Sequence, residues 1–337
     1  MRAVGYKHSL PIENAEALID LEIDKPVPQG RDLLVEVKAI SVNPVDTKVR
    51  KRADPKGGAP KILGYDAAGV VAAAGNDARL FKPGDAVFYA GSILRPGTNA
   101  QFHLVDERIV GRKPTTLDFA AAAALPLTSI TAWEMLFDRL AVPRGGGEGR
   151  SLLIVGAGGG VGSICIQLAR ALTKLTVIAT ASRPETVAWC KELGAHHVID
   201  HAKPMAAQLE ATGHRFVGYV FGVNATDKHY DTLVEIIAPQ GKLGMIDDPG
   251  LFDANKLKGK SASLHWESMF TRSSFQTPDM EAQHRLLNEV AALVDGRTIR
   301  TTLNAKLGKI DAANLMRAHA LIESGKARGK IVLEGFA

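Results

Sequence analysis

The stretch "SLLIVGAGGGVGSICIQLARALTK", Ser151–Lys174, constrains the fold more than any other: a short apolar run meets five glycines and then a longer apolar-periodic run. The first run reads as a buried strand and the second as a helix, so the glycines form a strand-to-helix turn opening a βαβ unit. With Ala157, Gly159 and Gly162 as the fingerprint positions, the first makes the tight turn, the second lets the backbone approach a pyrophosphate, and the third lets the helix pack close to the strand. Free backbone N–H groups over Gly159, Gly160, Val161 and Gly162, together with the helix dipole, then favour an anionic diphosphate. Alanine at the first position makes the match a variant.

The strand and helix alternation continues. Leu175–Thr180 reads as a strand, Pro184–Leu193 as a helix with proline in its first turn and Gly194 after its end, "HHVID" and "VGYVFGV" as strands, "HYDTLVEIIA" as a helix and "GKLGMI" as the next strand. Repeated βα units predict a doubly wound parallel sheet, an α/β fold. Residues 1–110 differ: "DLLVEVKAISV" alternates apolar and polar, "AAGVVAAAG" closes at Gly75, and "FKPGDAVFYA" turns into a further strand, so this part reads as a β-rich module. Pro126 should split Thr116–Leu140 into two short helices. After about Phe270 come an amphipathic helix, "DMEAQHRLLNEVAALVDG", and a closing helix and strand, "ALIESGKARGKIVLEGF". With no parallel neighbour of its own in sequence, that last strand is expected to return to the first module. The expected division is 1–125, 126–270 and 271–337, the third part completing the first.

The second strand of the unit ends in "TASRPE". An NAD site places Asp or Glu ~20 residues after the glycines to bind the ribose 2′-hydroxyl. Ser182 and Arg183 stand there instead, and a guanidinium beside a hydroxyl suits a 2′-phosphate, so the expected cofactor is NADP(H). Glu185 follows in the first helical turn, where the helix dipole alone accounts for a carboxylate. Val223 and Asn224, after the fourth strand, fall on the rim where dinucleotides lie.

A length of 337 residues suggests two cores rather than one. Forty-one Lys and Arg against 36 Asp and Glu give a net charge of +5, a mild excess that could draw anionic cofactors without calling for nucleic acid. The densest basic run, "TKVRKRADPK", reads as a solvated loop, with steering of a phosphate-bearing ligand as its functional alternative. Two cysteines, Cys165 and Cys190, exclude a disulfide framework. The start lacks a secretory apolar segment and no run of ~18 apolar residues occurs, so the expectation is a soluble cytoplasmic protein with no membrane partner.

A β-rich module, a nucleotide fold carrying "GAGGGVG" and a return ending in "GKIVL" together resemble the medium-chain dehydrogenase/reductase superfamily over nearly the whole chain. "SVNPVDTKVR", "FKPGDAVF", "LPLTSITAWEML" and "GKARGKIVL" are similar to its quinone oxidoreductase branch, and "SLHWESMFTRSSFQTPDM" to the zinc-type alcohol dehydrogenase-like group. The resemblance implies a GroES-like β-rich catalytic domain and a Rossmann domain. Zinc enzymes of this superfamily hold their metal with Cys, the His of a Gly-His-Glu element, and Cys. Here the matching positions are Asn43, Gly64-Tyr65-Asp66 and a point near Leu127, and the four-cysteine structural lobe has no counterpart between Gly84 and Gln101. A zinc site needs about four N, S or O donors in tetrahedral array, so no metal is expected. His196, His197 and His201 lie close in sequence but on a strand and its exit, where successive side chains face opposite sides, and read as ordinary strand and loop histidines. His265 reads as packed or interfacial.

Without a Lewis acid the acceptor must be polarised by hydrogen bonds, which favours quinones and α,β-unsaturated carbonyls over saturated ketones. By resemblance, Asn43 and Asp46 of "NPVD" line the nicotinamide pocket, with turn stabilisation as the alternative for each. Tyr65 could donate to the acceptor oxygen or be a core tyrosine. Thr131 resembles a threonine at the nicotinamide edge or bonds its own helix backbone. Lys330 resembles a lysine approaching the cofactor phosphate, or is a surface lysine. No residue stands out as the general acid. The expected activity is NADPH-dependent reduction of quinones or enones, with an enoyl-thioester reductase or a non-catalytic NADPH-binding protein as alternatives. The resemblance also implies a homodimer pairing the last strands of the nucleotide domain, from "GKLGMIDD" to "ASLHWE".

Overall fold

The computed structural model describes residues 1–336, which form two compact units, residues 131–269 and the residues on either side of them, 1–130 with those from 270 on. The chain crosses between them inside the helix Pro126–Trp133, whose proline occupies the first turn and so costs no backbone hydrogen bond. The preceding helix, Phe119–Ala123, is separate.

The continuous unit is a six-stranded sheet with helices between the strands. Its elements are β1 (Ser151–Val155), α1 (Gly160–Leu172), β2 (Thr176–Thr180), α2 (Pro184–Glu192), β3 (His197–Ile199), α3 (Met205–Ala211), β4 (Val217–Gly222), α4 (Thr226–Ile236), β5 (Ile237–Met245) and β6 (Ser263–Trp266). All pairings are parallel, in the order β3-β2-β1-β4-β5-β6. The order reverses between β1 and β4, which creates the crevice where such sheets bind ligands. Leu153, Val155, Ile178, Val220, Leu233 and Leu243 share one buried cluster, so the β-branched and leucine runs of the strands are covered, as a parallel sheet requires.

In the other unit the 11-residue strand Asp32–Val42 pairs with three others, Ala67–Ala74, Phe102–Asp106 and Lys330–Glu334. The expected return of the last strand is observed: Lys330–Glu334 lies antiparallel to Asp32–Val42, with Ile331 opposite Val42. It also has a parallel neighbour that sequence reading missed, Leu303–Lys306. Its four residues alternate half-buried and exposed and carry little strand signal.

The basic run is not a loop. Pro44–Arg52 is a helix, and Arg50 is fully buried, bonded to the Leu10 carbonyl, to the Glu323 carboxylate and to His319 Nδ1 at 3.4 Å. Its charge is matched inside the protein, so Arg50 itself is not available to steer a ligand, while Lys48, Lys51, Arg52 and Lys56 are exposed. Arg50 and burial together hold His319 at a pKa of about 3, burial being the larger cause.

The stretch Phe119–Arg139 is by length and composition alone apolar enough to cross a membrane, but 89% of its apolar window is buried inside the protein, as in a core helix.

A Cβ on Gly162 would stand 2.5 Å from backbone atoms of Ala157, which cannot yield as a side chain can. Gly162→Ala should therefore cost about 1–3 kcal/mol through displacement of α1 from the turn, read as a lowered urea midpoint with an unchanged slope.

Candidate functional site

The glycine turn is built as its spacing predicts, with one shift. The left-handed conformation falls on Gly156, at φ +79°, one residue before the fingerprint's first position. Alanine is therefore tolerated at 157, where no positive φ is needed. Gly158 is needed for space, since a Cβ there would lie 2.1 Å from a Thr186 methyl. At Gly159 a Cβ would meet nothing closer than 3.9 Å, so this face of the turn is open, as a pyrophosphate seat must be. Gly159 caps α1 with extended backbone and no side-chain bond, and the first N–H groups of the 13-residue helix point at that opening.

Thr180, at the carboxyl end of β2, accepts the Gly156 N–H at 3.0 Å. Ser182 and Arg183 follow, and Arg183 is the cap residue of α2, partly exposed, with Glu185 3.5 Å away. Val223 donates its N–H to Val155 at 3.1 Å, and a Cβ on Gly156 would touch the Asn224 Cβ at 3.5 Å. The carboxyl ends of β1, β2 and β4 thus bring Gly159–Gly162, Ser182, Arg183, Val223 and Asn224 to one edge of the sheet. Thr131 belongs to the same unit and is buried in its helix.

The other unit carries a buried polar cluster centred on Asp66. Its carboxylate accepts from Ser41 Oγ at 2.7 Å, Asn43 Nδ2 at 2.8 Å, Lys330 Nζ at 3.0 Å and the Leu127 N–H at 2.8 Å. Asn43 also accepts from Lys330 through Oδ1. Asp46 accepts the N–H groups of Asn43 at 2.7 Å and Gly64 at 3.0 Å. Only glycine serves at 64, where φ is +105° and a Cβ would lie 2.4 Å from Asn99 Oδ1. Asn43, Asp46 and Lys330 are therefore together; the Asp46 carboxylate holds the turn through the Asn43 N–H, whereas the Asn43 amide is spent on Asp66 and Lys330.

Lys330 is placed otherwise than its resemblance implied. It is buried, at 2% exposure, and directs its ammonium at Asp66, Asn43 Oδ1 and the Val42 carbonyl, the last at 3.1 Å. An ammonium has three protons, so none remains for a phosphate. Asp66 and Ser41 were not among the residues singled out. Asp66 was legible only as a replaced glutamate, because its partners are as far away in sequence as Lys330.

Tyr65 is wholly buried, packs edge-on to Phe270 with centroids 5.3 Å apart, and its hydroxyl has no hydrogen-bond partner. Burial, reinforced by Asp46, raises its pKa above the ordinary phenol value, so it stays a proton donor. Burial likewise raises Asp46 to a pKa of about 7, with the charge of Asp66 adding to the rise and the Asn43 and Gly64 N–H groups and Lys330 opposing it.

A GroES-like β-rich unit and a Rossmann sheet with an open glycine turn in one chain define a nicotinamide-dinucleotide oxidoreductase of the medium-chain type. Comparisons agree. The alcohol dehydrogenase GroES-like domain model matches residues 29–115 and the zinc-binding dehydrogenase model residues 193–333. The zinc-type alcohol dehydrogenase-like protein of Staphylococcus aureus (strain MSSA476) is 40% identical over 99% of both chains. The human mitochondrial NAD(P)H oxidoreductase RTN4IP1 is 30% identical over 90% of this chain and 81% of its own. A solved structure from Rhizobium etli CFN 42, provisionally described as a zinc-dependent alcohol dehydrogenase protein, matches with 60% identity and a TM-score of 0.96 over 100% of this chain and 98% of that one. The Escherichia coli quinone oxidoreductase complexed with NADPH shares the fold at 24% identity and a TM-score of 0.83, over 99% and 100%. The chain belongs to the medium-chain dehydrogenase/reductase superfamily, among the zinc-type alcohol dehydrogenase-like proteins.

Zinc does not fit its residues. The three positions that carry the metal in zinc enzymes are filled by an amide already bonded to Asp66 and Lys330, a buried phenol held protonated, and Leu127, which contributes only a backbone N–H. The carboxylate next to them, Asp66, already has four donors. Among the described residues no group of three or more His, Cys, Asp or Glu is arranged to hold a metal ion.

The pKa of Asp46 implies a test. A folded pKa above the unfolded one favours folding in full below about pH 4, and that contribution is lost as pH rises to about 7. Wild-type protein should accordingly lose stability relative to Asp46→Asn between those two pH values. Urea midpoints measured at both check it; a difference that does not change with pH would show that burial holds no proton on Asp46.

Proposed function

We propose that the protein is an NADPH-dependent reductase that delivers hydride to the carbon of quinones or α,β-unsaturated carbonyls without a metal ion. The observation that carries the reading is the donor set around Asp66: where a zinc enzyme keeps its Lewis acid, this chain keeps a saturated carboxylate and ammonium pair, beside a tyrosine hydroxyl with a proton to give. When bound, the dinucleotide supplies the hydride. Gly159–Gly162 would hold its diphosphate, and Arg183 with Ser182 would meet its 2′-phosphate through charge-assisted hydrogen bonds. Val223 and Asn224 would border it at the crevice, and Thr131 would lie toward the nicotinamide.

At the acceptor, a conjugated carbonyl spreads developing negative charge onto oxygen, where one or two fixed donors suffice. Tyr65 is the candidate donor, being protonated and unpartnered. Asn43 and Asp46 would then shape the pocket rather than transfer protons, since their polar atoms are committed to Asp66, Lys330, Asn43 N–H and Gly64 N–H. A saturated ketone localises charge more strongly and would be a poor substrate. The name of the human relative, an NAD(P)H oxidoreductase, is in keeping with a nicotinamide cofactor. Self-association through β6 is supported by its place at the sheet edge, where Trp266 is 52% exposed, because a bare edge invites pairing.

Following NADPH absorbance with 1,2-quinones, enones, saturated ketones and aldehydes tests the proposal. Turnover is expected with the first two and unaffected by a chelator; zinc-dependent turnover of saturated substrates would refute it. Arg183→Ala should raise the KM for NADPH by about tenfold or more with that for NADH little changed, the loss of a charge-assisted bond. Equal effects on both cofactors would remove Arg183 from phosphate recognition.

A further inference from the structure

The carboxyl edge of the parallel sheet carries two histidines that the reading above leaves unused. His201, two residues past β3, has its Nδ1 3.1 Å from Thr180 Oγ1. Thr180 is the same residue that accepts the Gly156 N–H, and it stands two residues before Ser182. The His201 ring lies 5.8 Å from that of His229, tilted by 59°. His229 is on α4, which begins two residues after Asn224. The imidazoles thus bridge the strand end that reads the ribose and the helix that follows the crevice. Both are half-buried.

The charges around them are few and mostly paired. On α4, Asp227 and Lys228 flank His229. On the β3 exit, Asp200 lies 3.7 Å from Lys203. At the start of α2, Arg183 lies 3.5 Å from Glu185. Asp247 is committed to the Thr226 N–H and hydroxyl at 2.8 and 2.7 Å. Burial, and after it the neighbouring His201, holds His229 below the ordinary imidazole value. Two imidazoles this close resist carrying two positive charges at once.

We propose that His201 and His229 are a one-proton sensor at the adenosine end of the cradle, a specificity-determining pair whose gain of charge favours the 2′-phosphorylated dinucleotide over its unphosphorylated counterpart. The inference rests on the dinucleotide reading above. The Thr180 link keeps the effect electrostatic. With Nδ1 bare, the threonine hydroxyl donates to it; with Nδ1 protonated, the hydroxyl accepts instead. A hydroxyl oxygen has two lone pairs, so the Gly156 N–H keeps its partner in both states and the glycine turn does not move. NADH affinity should be nearly independent of pH, while NADPH affinity should not.

Calorimetry of the full chain with NADPH and with NADH, from about pH 5.5 to pH 8.5 at constant ionic strength, tests this. The ratio of NADH to NADPH dissociation constants should rise by about tenfold from pH 8 to pH 6. In His201→Asn, which offers a polar atom near the place of Nδ1 and leaves only His229 to be charged, the rise should weaken, and in His201→Asn with His229→Phe, which keeps a ring at 229 and leaves no imidazole, it should vanish. Protonation of the 2′-phosphate near pH 6 works in the opposite direction and persists in the variants, so it cannot imitate the effect. Near-UV circular dichroism confirms that each variant is folded. A ratio that is flat in the wild type, or a rise that survives in the double variant, overturns the sensor. NADPH preferred by a constant factor at every pH would overturn it while leaving the NADPH reading intact, and no NADPH binding at any pH would bring both down.

Discussion

A carboxylate buried without water is tolerable only when its charge is matched and its lone pairs are filled, and Asp66 meets both conditions with groups from four parts of the chain. Ser41 and Asn43 come from the end of the long strand and the start of the following helix, Leu127 from the first turn of another helix, and Lys330 from the returning strand. Removing either member of such a pair typically costs about 3–5 kcal/mol because the other charge is left stranded. The pairing of Ile331 with Val42 is what carries Lys330 there, so strand register and the buried ion pair depend on each other.

That arrangement also decides the chemistry open to the catalytic unit. A metal ion exchanges ligands and can take an incoming oxygen into its coordination shell. The ammonium of Lys330 cannot, since its protons are all directed at fixed acceptors. On the proposed reading an acceptor would be left with a hydrogen bond from a group not already engaged, and the Tyr65 hydroxyl is unpartnered. The resemblance to zinc enzymes in overall sequence and a different chemistry at their ligand positions are therefore compatible: the positions that hold three ligands in zinc enzymes take part here in a network of hydrogen bonds and packing.

How much of this was legible in the chain depended on range. The glycine turn, the strand and helix alternation, Pro126 at a helix start and the basic group after the second strand are local signals, and each was readable from spacing alone. Positive φ at Gly156 rather than at 157 was not, because spacing gives the number of glycines a turn needs and not which of them takes the strain. Arg50 and Lys330 failed for a different reason. A lysine or arginine in a charged run looks solvated until its partner is known, and Glu323 and Asp66 lie hundreds of residues away. The strand Leu303–Lys306 was missed because two of its four side chains face solvent, so it lacks an apolar pattern.

The two units consequently encode their sites in different materials. In the nucleotide-binding unit the work is done by backbone: N–H groups, a left-handed glycine, and positions where any Cβ would strike Thr186 or the Ala157 backbone. Such requirements act residue by residue, and a single substitution meets a fixed steric wall. In the catalytic unit the work is done by side chains that satisfy one another, so the effect of changing one depends on the rest. Loss of Lys330 would strand Asp66, whereas exchanging both for uncharged groups of matching shape leaves no orphaned charge. A glycine fingerprint can thus persist through divergence as a recognisable string, while a charge network can be rebuilt from different residues on the same backbone, which is how a zinc-enzyme scaffold can come to hold an amide, a phenol and a leucine where its ligands stood.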